Sequence, residues 1–352
     1  MSDGAKVCGV WLASRALIFA VIVKAANHQG ATLATALTRW DVQHYLRIAS
    51  QGYVDPQEIA FFPGLPLILR AASVIPVPMW LFGTILAFLC SGLAAWALYR
   101  LYGVGAACLW LIAPMAVFTA VPYTEAPFAA CAFWAWLKAR ESHWMPAGCL
   151  AAIACGLRIS GLFLIFGLLV LALTQSGRGL ASKIRDMAPL ALGLAVVAGY
   201  AGYLYSKTGS WTAWYSAQNQ GWQRHLSWPW EGFLATWPMT SPDYWPNRPE
   251  VPIMFSFEIV AVVVGFVVVF TTLALRRWGE AAYAAATIIP LSCSGWFISV
   301  NRAILLLFPL FGGLGRLGAR HPKRVIFWGL VIIDLAVLVW WTYTFARGGW
   351  AS

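Results

Sequence analysis

The stretch from Thr38 to Arg70, TRWDVQHYLRIASQGYVDPQEIAFFPGLPLILR, gathers acidic, basic and imidazole side chains inside an otherwise apolar chain. Asp41 is its leading chemical candidate. A carboxylate there suits a general base, taking the proton from an attacking hydroxyl on the face of a sugar opposite the leaving group. Enzymes that hydrolyse glycosides add a second carboxylic acid, because an alkoxide leaves poorly without a proton. A phosphate leaves as a weak base, so one aspartate and a cation to steady the departing anion suffice. Arg158 in GLRISG is the first choice for that cation: an arginine between apolar helices is costly, and a guanidinium matches phosphate bidentately. Arg302, after Asn301, is the second, and Arg39, Arg70 and Arg224 are further possibilities.

Each of these residues also has a purely structural reading. Asp41 fits the acidic position of a capping box opened by Thr38. The helix that follows would set His44, Tyr45 and Ile48 on or near one face and end at Gly52. Arg158 fits equally a basic residue marking a cytoplasmic loop. Glu125 opens an apolar span, where the helix macrodipole favours an acid, and substrate binding is its alternative role. His44 is placed as a residue that contacts or orients substrate. No histidine pair stands at metal spacing, and Asp55 and Glu58 could hold a divalent cation only together with Asp41. No metal site or other cofactor is assigned, with a divalent metal left open. Walker loops, GxGxxG fingerprints and nucleophile elbows are missing from any strand-to-helix setting, so direct nucleotide-sugar binding has no visible machinery.

The elements that must position these residues are membrane helices. Apolar residues make up 61% of the 352 positions and charged residues 11%, against roughly a quarter charged in a soluble domain. Several runs approach or exceed the roughly 20 residues that cross a bilayer as a helix. The fold class is therefore an all-α polytopic membrane protein, with residues 1–352 as one transmembrane domain. A net charge of +11 does not indicate nucleic acid, because the basic residues collect at short loops between apolar runs. Placing Arg100, Lys138 with Arg140, Arg178 with Lys183 and Arg185, Arg276 with Arg277, and the cluster from Arg316 to Arg324 inside yields alternating spans. They lie near 79–100, 104–121, 125–140, 145–158, 160–175, 187–206, 253–275, 281–297, 302–316 and 325–345. A retained first span near Val7 to Ala26 brings the number to about eleven, N-terminus inside.

That parity puts residues 27–78 outside, with 59–75 as a re-entrant or interfacial helix, since Pro63, Pro66 and Arg70 weaken it as a span. Asp41, Glu125, Arg158, the 207–252 loop and Arg302 then share the outer face. The 207–252 loop is rich in tryptophan, which suits an interfacial aromatic belt or the binding of carbohydrate or lipid. The seven cysteines form no CxxC pair and are expected to be small buried hydrophobes.

RWDVQHYLRIASQGY followed closely by AFFPGLPL resembles the signature of the PIG-V type mannosyltransferases, the family of the second GPI mannosyltransferase. GLRISG is similar to that family's GLRSNG, with Ile159 and Ser160 in place of the serine and asparagine. VPYTEAPFA is similar to its tyrosine-serine-glutamate segment, and WYSAQNQGWQR to a stretch of shorter bacterial members. The resemblance implies a GT-C fold with outer-face interfacial helices. It also implies an enzyme that takes mannose from a polyprenyl-phosphate carrier, such as dolichyl-phosphate mannose, and passes it to an acceptor hydroxyl on a lipid or glycan, on the non-cytoplasmic side. Asp41 then inherits the base role, and Arg158, with Arg302, is assigned to the donor phosphate. Arg39, Trp40, His44, Tyr45, Phe62, Pro63, Glu125, Gln218 and Trp222 become the substrate-binding set. The compact chain suggests a bacterial plasma membrane with the site facing outside, or the lumenal face of the endoplasmic reticulum in a eukaryote. Oligomeric state is not assigned. A transporter or flippase of lipid-linked sugars is the rival; it predicts paired broken helices, and none is evident in the sequence.

Overall fold

The computed structural model describes residues 2–351 except 176, 178 and 320–322. Arg178 and Arg320, two of the basic residues assigned to inner loops, therefore lie outside the described residues. Helices carry the fold, and among the described residues the β-structure is an isolated bridge between Leu226 and Ser294. In chain order the first helices are α1 (Asp3–His28), α2 (Leu33–Leu37), α3 (Asp41–Gln51), α4 (Gly64–Ala71), α5 (Met79–Tyr102) and α6 (Val104–Leu111). Then come α7 (Glu125–Arg140), α8 (Trp144–Leu157), α9 (Ser160–Thr174), α10 (Leu180–Met187), α11 (Ala191–Thr208) and α12 (Ala213–Trp222). The last are α13 (Pro229–Thr236), α14 (Glu250–Ala274), α15 (Trp278–Ser292), α16 (Val300–Ile304), α17 (Phe308–Gly315) and α18 (Arg324–Ala346).

Among the described residues, five segments are long and apolar enough to cross a membrane: α1, α5, the run Leu180–Thr208 that holds α10 and α11, α14 and α18. With the composition, they make this an integral membrane protein. Two of the expected spans are interrupted. The 104–121 run stops as a helix at Leu111 and resumes as a 3-10 turn at Ala116–Thr119, and the 302–316 run divides into α16 and α17. Pro114 and Pro309 are the cause, because a proline ring clashes with the carbonyl four residues back and offers no N–H. Broken apolar segments thus exist that the hydropathy pattern did not reveal. By contrast, α4 spans eight residues, roughly 12 Å of rise, so the 59–75 stretch holds no membrane-crossing helix.

The chain forms two compact units. One comprises residues 1–43, 71–137 and 305–351. Inside it the indole of Trp11 on α1 donates to Ser91 Oγ on α5 (3.0 Å). Arg15, 1% exposed, reaches the interrupted segment and donates to Leu111 O (2.8 Å), Thr119 O (3.3 Å) and Thr119 Oγ1 (2.6 Å). It satisfies carbonyls at the ends of α6 and of the 3-10 turn Ala116–Thr119, which an apolar surrounding would otherwise leave costly. Phe308 of α17 packs among Tyr102, Phe133 and Trp136 in the same unit.

The other unit comprises residues 44–70 and 138–304, with Ser352 outside the described residues. Its layers are helix on helix, with α9 against α15, α14 against α15, and α8 against α11. The aromatic 207–252 region folds as α12, α13 and two 3-10 turns, all too short to cross. Trp228 and Trp230 stack at 5.0 Å and stand exposed. The expectation for the cysteines holds only in part: Cys155 is buried, but Cys8 and Cys149 are exposed on their helices. Lipid tails are as apolar as a leucine side chain, so no hydrophobic force draws a cysteine inward.

Candidate functional site

The first unit holds Arg39, Trp40, Asp41 and Glu125. Thr38 does not open α3: it closes α2, with its hydroxyl donating to Ala34 O (2.9 Å). The chain then turns through Trp40 at φ +54°, and Asp41 is the first residue of α3, half-buried. The capping-box reading of Asp41 fails for that reason, because a left-handed residue separates it from Thr38. Such a conformation costs a residue with a Cβ about 1–3 kcal/mol and persists only where its surroundings impose it. Here Trp40 packs 6.1 Å from Trp350. Arg39 donates to Ala346 O and to Gln29 Oε1, both at 3.3 Å, which fixes the strand of chain entering α3.

Tyr123 of the VPYTEAP motif donates to Arg39 O at 3.5 Å. Two of the motifs that carry the resemblance therefore meet inside this unit. Thr124 and Glu125 are both fully buried, Glu125 as the first residue of α7.

Within α3, Asp41, His44 and Tyr45 fall at helical i, i+3 and i+4 positions, and Gly52 at φ +80° ends the helix as expected. The second unit begins at His44. There Glu58, fully buried, pairs with Arg47 and accepts from the Asp55 N–H, while Asp55 Oδ1 takes the Gln57 N–H (2.9 Å). Asp55 and Glu58 are thus engaged in capping the 3-10 turn Pro56–Ala60. The His44 ring stacks on Phe61 (4.9 Å), with its Nδ1 3.2 Å from Arg47 Nη2. Trp222 closes this wall, 5.4 Å from Phe61 and 6.5 Å from His44.

The carbonyls that lead into the AFFPGLPL motif are held from several sides. Tyr200 Oη lies 2.8 Å from Ile59 O and 2.9 Å from Phe61 O, and Tyr53 Oη donates to Phe61 O at 2.8 Å. Burial pushes the Tyr53 phenol well above its usual range, so it remains a neutral donor. Trp214 Nε1 and Gln218 Nε2 both donate to Ala60 O, at 3.1 and 3.3 Å. Phe62 packs against Tyr200 and Trp214.

Pro63 leads into α4, and here the motif touches GLRISG: a Cβ on Gly64 would stand 2.5 Å from Gly156 O and 2.7 Å from its carbonyl carbon. Only glycine permits that backbone approach. Arg158 follows two residues on, half-buried, extended at φ −156° and ψ 151° between α8 and α9. Gly64→Ala is accordingly expected to destabilise the protein by about 1–3 kcal/mol through overpacking. A lower melting temperature in detergent, together with weaker polyprenyl-phosphate binding, is the expected readout; unchanged values would show that the two motifs tolerate separation.

Arg302, 5% exposed, and Asn301, 1% exposed, lie on α16. Glu258 of α14 accepts the N–H groups of Ser299, Val300 and Asn301. Sequence reading passed over Glu258, although a lone acid in the run VPIMFSFEIVAVVVGF is itself a signal. Arg224, a further possibility for the donor phosphate, donates to Gln218 Oε1 (3.3 Å) and Ile298 O (3.0 Å). The structure brings His44, Phe61, Trp222, Gln218 and Arg224 into one connected group, and Pro63 and Arg158 to the Gly64–Gly156 contact.

No family model matches the chain. It is 34% identical over 176 residues to GPI alpha-1,6-mannosyltransferase 2 of Mus musculus, a match covering 45% of this chain and 35% of that protein. GPI mannosyltransferase 2 of Gibberella zeae is 29% identical over 227 residues, 56% of this chain and 53% of the fungal protein. The human GPI alpha-1,6-mannosyltransferase 2 is 33% identical over 149 residues, covering 37% and 30% respectively. The matches thus span between 30% and 53% of these relatives' length. By sequence, the chain is similar to GPI mannosyltransferase 2 proteins, in keeping with the resemblance that its RWDVQHYL and AFFPGLPL motifs carry.

Proposed function

We propose that this protein is an inverting mannosyltransferase of GT-C fold that takes mannose from a polyprenyl-phosphate carrier and passes it to an acceptor hydroxyl on a lipid or glycan. The Asp41 carboxylate removes the acceptor's proton as its oxygen bonds to the sugar's anomeric carbon. The bond from that carbon to the carrier phosphate breaks, and polyprenyl phosphate departs with the electron pair. Arg158, aided by Arg302, stabilises the departing phosphate. No general acid is required, because the phosphate leaves unprotonated. This reading takes about eleven spans, with these groups on the non-cytoplasmic face.

The observation that carries this reading is the pairwise meeting of four of the stretches on which the family resemblance rests. RWD meets VPYTEAP through Tyr123 and Arg39, and FFPG meets GLRISG through Gly64 and Gly156. The mannosyltransferase names of the relatives support the chemistry.

The test is purified protein in detergent, supplied with polyprenyl-phosphate mannose labelled in the sugar and a panel of glycolipid and glycan acceptors. Label moving covalently to an acceptor, with polyprenyl phosphate released, is the expected result. Mannosyl lipid crossing a proteoliposome bilayer, with no covalent transfer to any acceptor, would establish the flippase instead.

A further inference from the structure

We propose that Glu258 and Arg224 are positioning residues for the wall of His44, Gln218 and Trp222, and that this wall takes the hydroxyls and face of the donor's sugar. The inference rests on the mannosyltransferase reading above. Glu258 is 2% exposed within α14, in a run otherwise apolar, where a carboxylate is costly unless it is fully engaged. Its Oε1 accepts the Ser299 N–H at 2.8 Å, and its Oε2 those of Val300 and Asn301 at 2.7 and 3.0 Å. These three bonds hold a turn whose first residue, Ser299, sits at φ +60°, a region that side chains with a Cβ rarely occupy. Strain of this kind survives only where the surroundings dictate it, and it gathers at functional sites.

From the other side Arg224 grips the same turn through Ile298 O (3.0 Å) and holds Gln218 Oε1 (3.3 Å), while Gln218 Nε2 is anchored on Ala60 O (3.3 Å). The loop's Trp296 indole donates to Trp222 O (2.9 Å), and Gly295 N–H to His225 O (3.0 Å). A continuous series of hydrogen bonds therefore runs from Glu258 through the 298–301 turn and Arg224 to Gln218, with a branch to Trp222. An amide has two N–H groups and two lone pairs on oxygen. With one of each fixed by Ala60 and Arg224, Gln218 presents the remaining pair in a set direction, which suits a sugar hydroxyl. The His44 ring stacked on Phe61, with Trp222 edge-on to both, supplies the apolar face that a pyranose prefers.

The experiment measures binding of two probes to the purified protein: a polyprenyl-phosphate mannose, and the same polyprenyl phosphate without sugar. Wild type is expected to prefer the mannosyl lipid. Glu258→Gln and Arg224→Ala should each erase that preference, roughly tenfold in size, as for coupled members of one hydrogen-bond network. Neither should change the affinity for the bare lipid, and the double variant should lose no more than either single one. Should Glu258→Gln fail to fold, Arg224→Ala decides alone. Equal weakening of both lipids, an unaltered preference, or additive losses would each overturn the positioning role while leaving the transferase reading intact. A wild-type protein that binds the two lipids equally would overturn the sugar wall itself, and covalent transfer, assayed separately, would show whether the transferase reading falls with it.

Discussion

Asp41→Asn is expected to lower turnover by about 10²–10⁴-fold, the usual contribution of a general base, while polyprenyl-phosphate mannose binds as before. Asparagine keeps the size and a hydrogen-bonding oxygen but cannot accept the acceptor's proton. Two features of the structure make Asp41 suitable for this test. It is not the partner of a Thr38 cap, since Thr38 closes α2 and Trp40 intervenes at φ +54°. It also stands in the first turn of α3, with Arg39 tied to Ala346 and Gln29 immediately before it, so its backbone is fixed independently of its side chain. The measurement is the initial rate at saturating donor and acceptor, alongside donor affinity. Wild-type turnover in the asparagine variant would remove Asp41 from the mechanism. A slow variant that has also lost donor affinity would move Asp41 from proton transfer to binding.

Much of the scaffold was readable from residues alone, because its signals are local. Long uninterrupted apolar runs became α1, α5, α14 and α18, and the Asp41 helix ends at Gly52, whose left-handed φ of +80° suits glycine. The short α4 follows from Pro63, Pro66 and a run too brief to cross. What escaped depends on contacts across the sequence or on backbone angles that composition does not encode. The Thr38-to-Asp41 spacing imitates a capping box, and only the left-handed Trp40 shows that α2 has ended instead. Hydropathy averages ran straight across Pro114 and Pro309, although the ring chemistry of both breaks a helix.

The candidate site divides differently. The motif residues were identifiable one at a time, but their supports were not. Glu258 and Arg15 are lone charges in apolar runs, and their partners are backbone groups distant in sequence: 299–301 for the first, 111 and 119 for the second. Tyr53, Tyr200 and Trp214 look like ordinary aromatic core, yet each directs its polar atom onto the carbonyls of residues 59–61. A period-3.6 pattern records which face is apolar and carries no information about which carbonyl a phenol will reach.

Arg158→Ala should weaken binding of polyprenyl phosphate by about 10- to 100-fold, which corresponds to the roughly 1.5–3 kcal/mol of a hydrogen bond to a charged group. Arg158 occupies the extended residue between α8 and α9, its N–H bonded to Ala154 O (3.1 Å) and its carbonyl taking the Gly161 N–H (3.0 Å). The backbone at this break is thus secured by its own neighbours, and these backbone hydrogen bonds stay in place when the guanidinium is removed. Arg158→Lys should fall between alanine and wild type: it keeps the charge but loses the planar fork that meets two phosphate oxygens at once. That ranking separates a phosphate ligand from a topological marker, for which lysine and arginine are equivalent. The readouts are the affinity for polyprenyl phosphate across a salt series and the turnover of each variant. If alanine leaves both unchanged, the cation belongs elsewhere, and the same series on Arg302→Ala identifies whether α16 supplies it.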